Sequence, residues 1–434
     1  MITTLAISTI TFLPIAISLF LFPKIKIGKF AIATYWLIAL VGATILLLTQ
    51  QAPIQEVFNE LTADTKVNPL KILVLFFSMT LISIFLDEFG LFKYLAGIAV
   101  KKAKGNQFTL FFALYALTSV LTVFTSNDIV ILTLTPFICF FAKRTKINPI
   151  PYLIAEFTAA NTWSLMFVIG NPTNIFLATS AGIDFVNYLK VMALPTVGAG
   201  LVEIIILFLL FRKKLKEPLG ELEEQEENKI ENKALLIIGV IHLLICLVFL
   251  IISSYIGLEM WLIALISASS LLIITSVFAI VKKKKEYVFD SVKKLPYPLI
   301  PFFLSMFVIV VALNYQGVST YISELFGNTN VIWVYGYSSF FMSNVINNIP
   351  MSILYANLCN GLTGINYTSA IYASIIGSNI GAFLTPMGAL AGIMFTGLVN
   401  EHNVKFSFVD FIKYGVIIAI PTITVSLALL LVTL

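Results

Sequence analysis

Apolar residues run along this chain in blocks of about twenty, and polar residues fall between the blocks in short groups. Blocks that long, apolar on every face, predict helices that cross a bilayer. Ten spans are expected, at 4–22, 30–49, 70–86, 150–178, 188–211, 234–256, 258–281, 297–316, 366–395 and 408–433. Two further apolar stretches, 108–142 and 331–360, are each split by polar residues, TSNDIV at 125–130 and MSNVINNIP at 342–350. A hydrocarbon core cannot hydrate a carboxylate, amides or unwound backbone. Ser126, Asn127, Asp128, Ser343, Asn344, Asn347 and Asn348 are therefore expected to line space enclosed by protein. Paired interruptions in corresponding places of two halves point to a transporter's central site.

Lysine and arginine set how the spans thread. They follow 4–22 (Lys24, Lys26, Lys29), 70–86 (Lys93, Lys101, Lys102, Lys104), 108–142 (Lys143, Arg144, Lys146), 188–211 (Arg212, Lys213, Lys214, Lys216) and 258–281 (Lys282 to Lys285, Lys293, Lys294). All these clusters are cytoplasmic only if 108–142 enters from that side and returns to it, as a re-entrant hairpin. The stretch 331–360 then enters from outside, because 318–330 and 361–366 carry no Lys or Arg. Both termini come out external. The mixed-charge stretch 212–233 reads as a cytoplasmic linker between a first repeat, 1–211, and a second, 234–434. FVNYLK at 185–190 matches FVDFIK at 408–413, Pro195 matches Pro421, Ser126-Asn127 matches Ser343-Asn344, and GLFKYLAG at 90–97 pairs with GVSTYISE at 317–324. The threading turns one copy upside down, and two inverted copies supply two equivalent packings of opposite access.

Composition agrees with an all-α polytopic membrane protein. Of 434 residues, 59% are hydrophobic and 11% charged, against about 25% charged in an ordinary globular protein. Mean hydropathy is +0.99. The net charge of +5 comes from loop cations that orient the chain, so the bilayer is the expected partner and nucleic acid is not. Cys139, Cys246, Cys359, His242 and His402 are scattered singly, with no spacing for a metal site or a disulfide framework. No nucleotide-binding motif and no convergent pair for a membrane enzyme is present, so neither enzyme nor cofactor is expected. Breaks confined to four places favour alternating access over the continuous polar stripe of a channel. The N-terminal segment lacks a basic n-region and a cleavage site and reads as a retained span.

The span after each hairpin is interrupted as well. IGNPTN at 169–174 holds Asn171, Pro172, Thr173 and Asn174; GSNIGAFLTPMGA at 377–389 holds Ser378, Asn379, Thr385, Pro386 and Gly388. Proline removes an amide hydrogen and clashes with the preceding turn, so the helix opens and frees carbonyls and amides. Ser, Thr, Asn and backbone oxygens suit Na⁺, a proton site or a small oxygen-bearing solute. Helix N-termini at the tips suit an anion. Asp128 carries a proton or a cation, or caps the second hairpin helix, or both. Glu156 is expected to reach interfacial water, and Asp87-Glu88 to form a charge pair at the cytoplasmic boundary.

LDEFGLFKYLA (86–96), SNDIVILTLTP (126–136), AANTWSLMFVIGNPTN (159–174), SNVINNIPM (343–351) and GSNIGAFLTPMGAL (377–390) together resemble the ion transporter superfamily. The group is that of the arsenite permeases and D-type sodium/proton antiporters, whose domain is also called citrate-transporter-like. The resemblance implies a homodimer of inverted-repeat protomers in the cell membrane, working as elevators. It implies a secondary active transporter of a small inorganic anion or a metalloid such as arsenite, with H⁺ or Na⁺ as coupling ion. A Na⁺-coupled citrate- or succinate-type carrier is the alternative. By position it assigns the tips to Asn127, Asp128, Asn344 and Asn347, with any Na⁺ at Asn127, Asp128 and Asn344. The breaks go to Asn171, Thr173, Asn174, Asn379, Thr385 and Gly388. Asn161 and Ser378-Asn379 stand where arsenite permeases tend to carry acids. The threading is checked in intact cells by a membrane-impermeant thiol reagent on Glu224→Cys, in a background lacking the native cysteines. The reagent is expected to label this cysteine only after permeabilisation, and strong labelling of intact cells reverses the orientation.

Overall fold

The computed structural model describes every residue except 23, 28–29, 64–67, 218–229, 231 and 282–285. Most of the expected linker and the run Lys282 to Lys285 lie outside the described residues. The first half contains helices α1 (Ile2–Leu21), α2 (Thr34–Leu48), α3 (Ile54–Thr62), α4 (Pro69–Glu88), α5 (Leu91–Ala103), α6 (Gln107–Phe124), α7 (Asn127–Thr145), α8 (Ile150–Trp163), α9 (Pro172–Ser180) and α10 (Phe185–Phe211). The second half contains α11 (Lys233–Ile256), α12 (Met260–Val281), α13 (Glu286–Lys293), α14 (Leu299–Tyr315), α15 (Val318–Phe326), α16 (Val331–Ile346), α17 (Asn348–Cys359), α18 (Gly364–Gly381), α19 (Leu390–Glu401) and α20 (Phe408–Thr433). The molecule is a polytopic, almost wholly helical membrane protein.

The expected spans are not ten straight rods. Among the described residues, α4, α6, α10, α11, α12 and α20 are long and apolar enough to cross a bilayer unbroken, and α14 with α15 forms a further candidate bent by 74°. The expected spans 150–178 and 366–395 are each two helices with a gap. The expected span 30–49 begins as a strand: β1 (Lys24–Ile27) pairs antiparallel with β2 (Phe30–Ala33), and the helix starts only at Thr34. The alternation in KIKI has the period of a strand rather than of a helix. The short helix α3 carries exposed Ile54 and Phe58 one turn apart on one face, with Val57 buried.

The run α4 to α10 recurs in order and kind as α14 to α20. Gly90 joins α4 to α5 and Gly317 joins α14 to α15, both left-handed at φ 82° and 75°, where glycine has no Cβ to clash. Both closing helices are long and carry an internal proline, Pro195 in α10 and Pro421 in α20. Asp184 caps the first through Asn187 N, and Ser407 caps the second in a reciprocal box with Asp410. These two helices pack against each other, with Ser426 Oγ donating to the Pro195 carbonyl at 3.3 Å. The second arm of each hairpin packs on the broken span of the other half, α7 against α19 and α17 against α9.

Small residues let the second hairpin approach its broken helix. Gly377 and Gly381 of α18 face Ser339, Ser343 and the backbone of α16, a spacing of four that lines one face of a helix. A Cβ on Gly381 would stand 2.6 Å from the Phe340 carbonyl oxygen, and one on Gly377 would meet the Gly336 carbonyl. Backbone cannot move aside as a side-chain end can. Gly377→Ala and Gly381→Ala are each expected to cost about 1–3 kcal/mol by overpacking, read as a lower unfolding midpoint in detergent. Unchanged midpoints would mean that this contact is loose.

Candidate functional site

Each break has a local cause. The gaps run from Ser164 to Asn171 and from Ala382 to Ala389, and each contains a single turn of 3₁₀ helix, Val168–Gly170 and Pro386–Gly388. Helix α9 restarts with Pro172 at its first position, where no amide hydrogen is needed, and Asn171 caps it by accepting from Thr173 N at 3.1 Å. Thr385 accepts from Met387 N at 3.2 Å and starts the 3₁₀ turn at Pro386. The first hairpin turns at Thr125 and Ser126 in extended backbone. The second turns on one residue, Asn347, at φ 72° and ψ 154°, a conformation that costs a non-glycine residue on the order of 1–3 kcal/mol. Its amide offsets part of that cost by accepting from Ile349 N at 3.3 Å and donating to the Met387 carbonyl at 3.1 Å.

The polar side chains form one network through the end of α18. Asn127 Nδ2 donates to Asn161 Oδ1 at 3.3 Å, and Asn161 Nδ2 donates to the Phe157 carbonyl at 2.8 Å. Ser164 Oγ lies 2.6 Å from the Asn161 carbonyl and 2.9 Å from Asn379 Oδ1. Asn379 Oδ1 also accepts from Asn171 Nδ2 at 2.9 Å, and Asn379 Nδ2 donates to Asn174 Oδ1 at 2.6 Å and to the Ile375 carbonyl at 2.8 Å. Asn174 Nδ2 closes the first gap on the Ser164 carbonyl at 2.8 Å. One turn away, Asn344 Nδ2 donates to the Gly381 carbonyl at 3.0 Å, and Asn344 Oδ1 accepts from Thr385 N at 3.0 Å and Thr385 Oγ1 at 2.7 Å. Gly388 packs against the same oxygen, which a Cβ there would approach to 2.9 Å. Every side-chain partner in this network is an amide, a hydroxyl or a backbone group.

Four atoms of the expected site have no partner although they are buried: Ser126 Oγ, Asn127 Oδ1, Asn348 Oδ1 and Ser378 Oγ. A buried polar atom left unpaired costs on the order of 1–3 kcal/mol. Three of the four stand at the first turns of α7 and α17, where helix amides point outward. Asp128 lies in the first turn of α7, half-buried, with no hydrogen bond or ion pair among the described residues. Asn344 and Thr385 are half-buried as well, so this part of the network reaches accessible space.

Several expectations need correction. Ser343 and Asn344 are not at the tip but in the last turn of α16, so Asn347-Asn348 take the place that Ser126-Asn127 hold in the first hairpin. The cause is that Asn347 accepts a positive φ, which lets α16 run on to Ile346. Ser378 and Asn379 are in the helical end of α18 rather than in its break, because the helix opens only at Ala382, before Pro386. Asp128 does not cap α7 with its side chain; Ser126 is the capping position, and its side chain accepts nothing. Glu156 does not reach interfacial water. It is buried, with Thr135 Oγ1 donating at 3.0 Å and 3.2 Å to its two oxygens, since α8 is enclosed by α6, α7, α10 and α18. Glu88 does form an ion pair, with Lys294. Sequence reasoning passed over Asn161 as a contact of the tip, and over Ser164. It also missed Glu203, a carboxyl fully buried in α10 against Thr162. A lone acid inside a 27-residue apolar helix was the available signal for it.

Known proteins are similar to this chain in sequence. An arsenical pump membrane protein of Escherichia coli K12 is 26% identical over 373 residues, 82% of this chain and 84% of its own. A putative arsenical pump membrane protein of Bacillus subtilis is 25% identical over 399 residues, 84% and 88% of the two chains. An uncharacterized transporter of Synechocystis is 24% identical over 420 residues, 90% of each. The family described as citrate transporter matches residues 19–377, which takes in both hairpins and the break after the first. The chain belongs to that family of membrane transporters, in keeping with its resemblance to the arsenite permease group of the ion transporter superfamily.

Proposed function

We propose that this secondary transporter, placed in the cell membrane, moves a small hydroxylated inorganic solute of the arsenite class against a gradient of H⁺ or Na⁺. The observation that carries this reading is the set of unpaired buried atoms at the two tips, set in a network of neutral amides and hydroxyls. Arsenite is a trihydroxide that is uncharged at neutral pH, and its hydroxyls both donate and accept. Asn127 Oδ1 and Asn348 Oδ1 can accept from it, and Ser126 Oγ can do either. A tricarboxylate would call for compensating cations, and no Lys or Arg joins the network described above. The three cysteines are buried singly, so recognition by thiols is not part of the reading. Nor is an enzymatic reaction. The name of the relatives in E. coli and B. subtilis agrees with this solute; the name of the matching family favours the second reading, a Na⁺-coupled citrate- or succinate-type carrier.

Asp128 is the ion-binding candidate, because it is an acid at a tip with no hydrogen bond or ion pair among the described residues, half-buried beside neutral Asn127. A carboxylate at that depth costs at least about 2.5–3.5 kcal/mol, which a proton or Na⁺ would offset. We take the halves as inverted repeats and the hairpins with their broken helices as the moving body of an elevator, in a homodimer. The α7–α19 and α17–α9 contacts support one interlocked body. The expected sides are supported by Met1 on Gln316 Oε1 and Gln316 on the Gln51 carbonyl at one face, and by Gln107 on the Glu217 carbonyl and Lys294 on Glu88 at the other. External termini and a cytoplasmic 212–233 follow.

Proteoliposome uptake of arsenite, sulfate, citrate and succinate under imposed pH or Na⁺ gradients tests the reading. Arsenite is expected to accumulate, and uptake of citrate or succinate in its place would establish the carboxylate carrier instead. Asn127→Ala and Asn344→Ala are each expected to abolish uptake at normal membrane levels, and full activity in either would reduce that residue to scaffolding. Asp128→Asn is expected to remove the response to the gradient; a response equal to the wild type would assign Asp128 no ion. Asn379→Ala should remove uptake and lower the unfolding midpoint together, because it orphans Asn171 Nδ2 and Asn174 Oδ1 at about 1–3 kcal/mol per group.

A further inference from the structure

The last turn of α8 touches four elements with four consecutive residues. Asn161 meets α7 through Asn127, Thr162 donates to Glu203 of α10, the Trp163 indole donates to Tyr115 of α6 at 3.2 Å, and Ser164 meets α18 through Asn379. Two of these contacts belong to the central network. The other two close a second polar pocket behind it, and Glu203 stands at its centre. Glu203 is fully buried, about 27 Å from the start of α10 and about 12 Å from its end at 1.5 Å per residue. That is within the hydrocarbon core.

The hydrogen bonds of this pocket can be assigned atom by atom. Thr162 Oγ1 lies against Glu203 Oε2. Glu203 Oε1 has no hydrogen-bond partner among the described residues, and the nearby Thr158 hydroxyl donates instead to the Ala155 carbonyl at 3.5 Å. Tyr115 has spent its one hydrogen on the Gly200 carbonyl at 3.0 Å, and it accepts from Trp163 Nε1. It therefore offers Glu203 a lone pair and no donor. An ionised Glu203 would leave Oε1 buried without a donor among the described residues. A protonated Glu203 carries the missing hydrogen and can give it to Tyr115. Gly200 keeps the pieces in place, since a Cβ there would stand 2.6 Å from Trp163 Cζ2.

No cation compensates the carboxyl among the described residues. From α6 the titratable group facing it is Tyr115, and from α8 the facing groups are Thr158 and Thr162. The acid of α8, Glu156, is engaged with Thr135 of α7. On α20, Asp410 and Lys413 belong to the first turns, beside the C-terminal end of α10, about 12 Å along the helix from Glu203, where Tyr414 meets Phe211 at 5.3 Å between ring centroids. Helix α11 carries Lys233 at its first position and His242, whose Nδ1 lies on its own Ile238 carbonyl. On α10 itself the cations are Lys190, near its start, and Arg212, beyond its end.

We propose that Glu203 is a proton-binding site, filled in this conformation and built by α6, α8 and α10 directly behind the central network. It would be emptied when movement of α8 away from α10 admits water to the carboxyl, since loss of the Thr162 donor alone leaves the proton held more tightly. The link to solute movement rests on the transporter reading above, whereas the state of the carboxyl does not. Infrared difference spectroscopy of the purified protein, wild type against Glu203→Gln, reads that state directly. A protonated-carboxyl band at neutral pH is expected in the wild type, is expected to be lost in Glu203→Gln and to return in Glu203→Asp. An identical band in wild type and Glu203→Gln overturns the proposal. In proteoliposomes, the ratio of uptake with a pH gradient to uptake without one is expected to lose its gradient response in Glu203→Gln and to keep it in Glu203→Asp. A full response in Glu203→Gln overturns the role in coupling. If the wild type takes up no arsenite, the functional reading fails and the infrared comparison still decides Glu203.

Discussion

Hydrocarbon supplies no hydrogen bonds, so each polar atom at membrane depth has to find its partner inside the protein. Asn379 is where that constraint is met for most of the broken backbone. It accepts from Ser164 and Asn171 and donates to Asn174 and to its own helix. Those three partners all belong to the other half of the chain, more than two hundred positions away. The amide thus closes the gap between α8 and α9 from across the molecule. Two places later the Gly381 carbonyl receives Asn344, so the same turn of α18 holds the second hairpin as well. Without it, the gap in the first half would expose unpaired peptide groups, and the second hairpin would lose its seat.

The glycines of α18 serve the same end by a different route. Removing side chains at 377 and 381 brings the backbones of α16 and α18 close enough for an asparagine on one to reach a carbonyl of the other. Apolar contact alone does not hold helices together in lipid, because the lipid is as apolar as the side chains. Close backbone approach and buried amide bonds do so here. The interlocking of α7 with α19 and α17 with α9 then ties each hairpin to the opposite half.

Much of this was legible in the sequence because prolines and polar runs at hydrocarbon depth are costly and therefore informative. Pro172 and Pro386 marked both gaps, and TSNDIV and MSNVINNIP marked both hairpins. The recurrence of FVNYLK and FVDFIK pointed to helices that do open at corresponding places. Exact positions were less legible. Ser and Asn sit well inside an apolar helix when a carbonyl one turn back takes their hydrogen, as Phe340 does for Ser343 and Asn344. Their polarity alone thus did not place the turn at Asn347. Glu156 looked interfacial by its distance from the end of a span, but burial depends on neighbours, and α8 is covered on all sides. The sequence analysis gave Tyr115 and Trp163 no role, and only the fold joins the Trp163 indole to the Tyr115 hydroxyl behind Thr162 and Glu203.

The two polar pockets share one structural element, and this bears on how ion and solute could be linked. Asn161 and Ser164 look toward the tips; Thr162 and Trp163 look toward α10 and α6. A rigid turn cannot move for one pair and stay for the other. Under the proposed movement, shifting the hairpins with α8 past α10 separates Thr162 from Glu203 and leaves Trp163 on Tyr115. Tyr115 belongs to α6 of the same hairpin, so it leaves Gly200 of α10 in the same shift. Glu203 would then be left without Thr162 while still in an apolar surround, unless water or another donor replaces it. Its proton and the position of α8 are in this way coupled by geometry, since the donor on Oε2 comes from the last turn of α8.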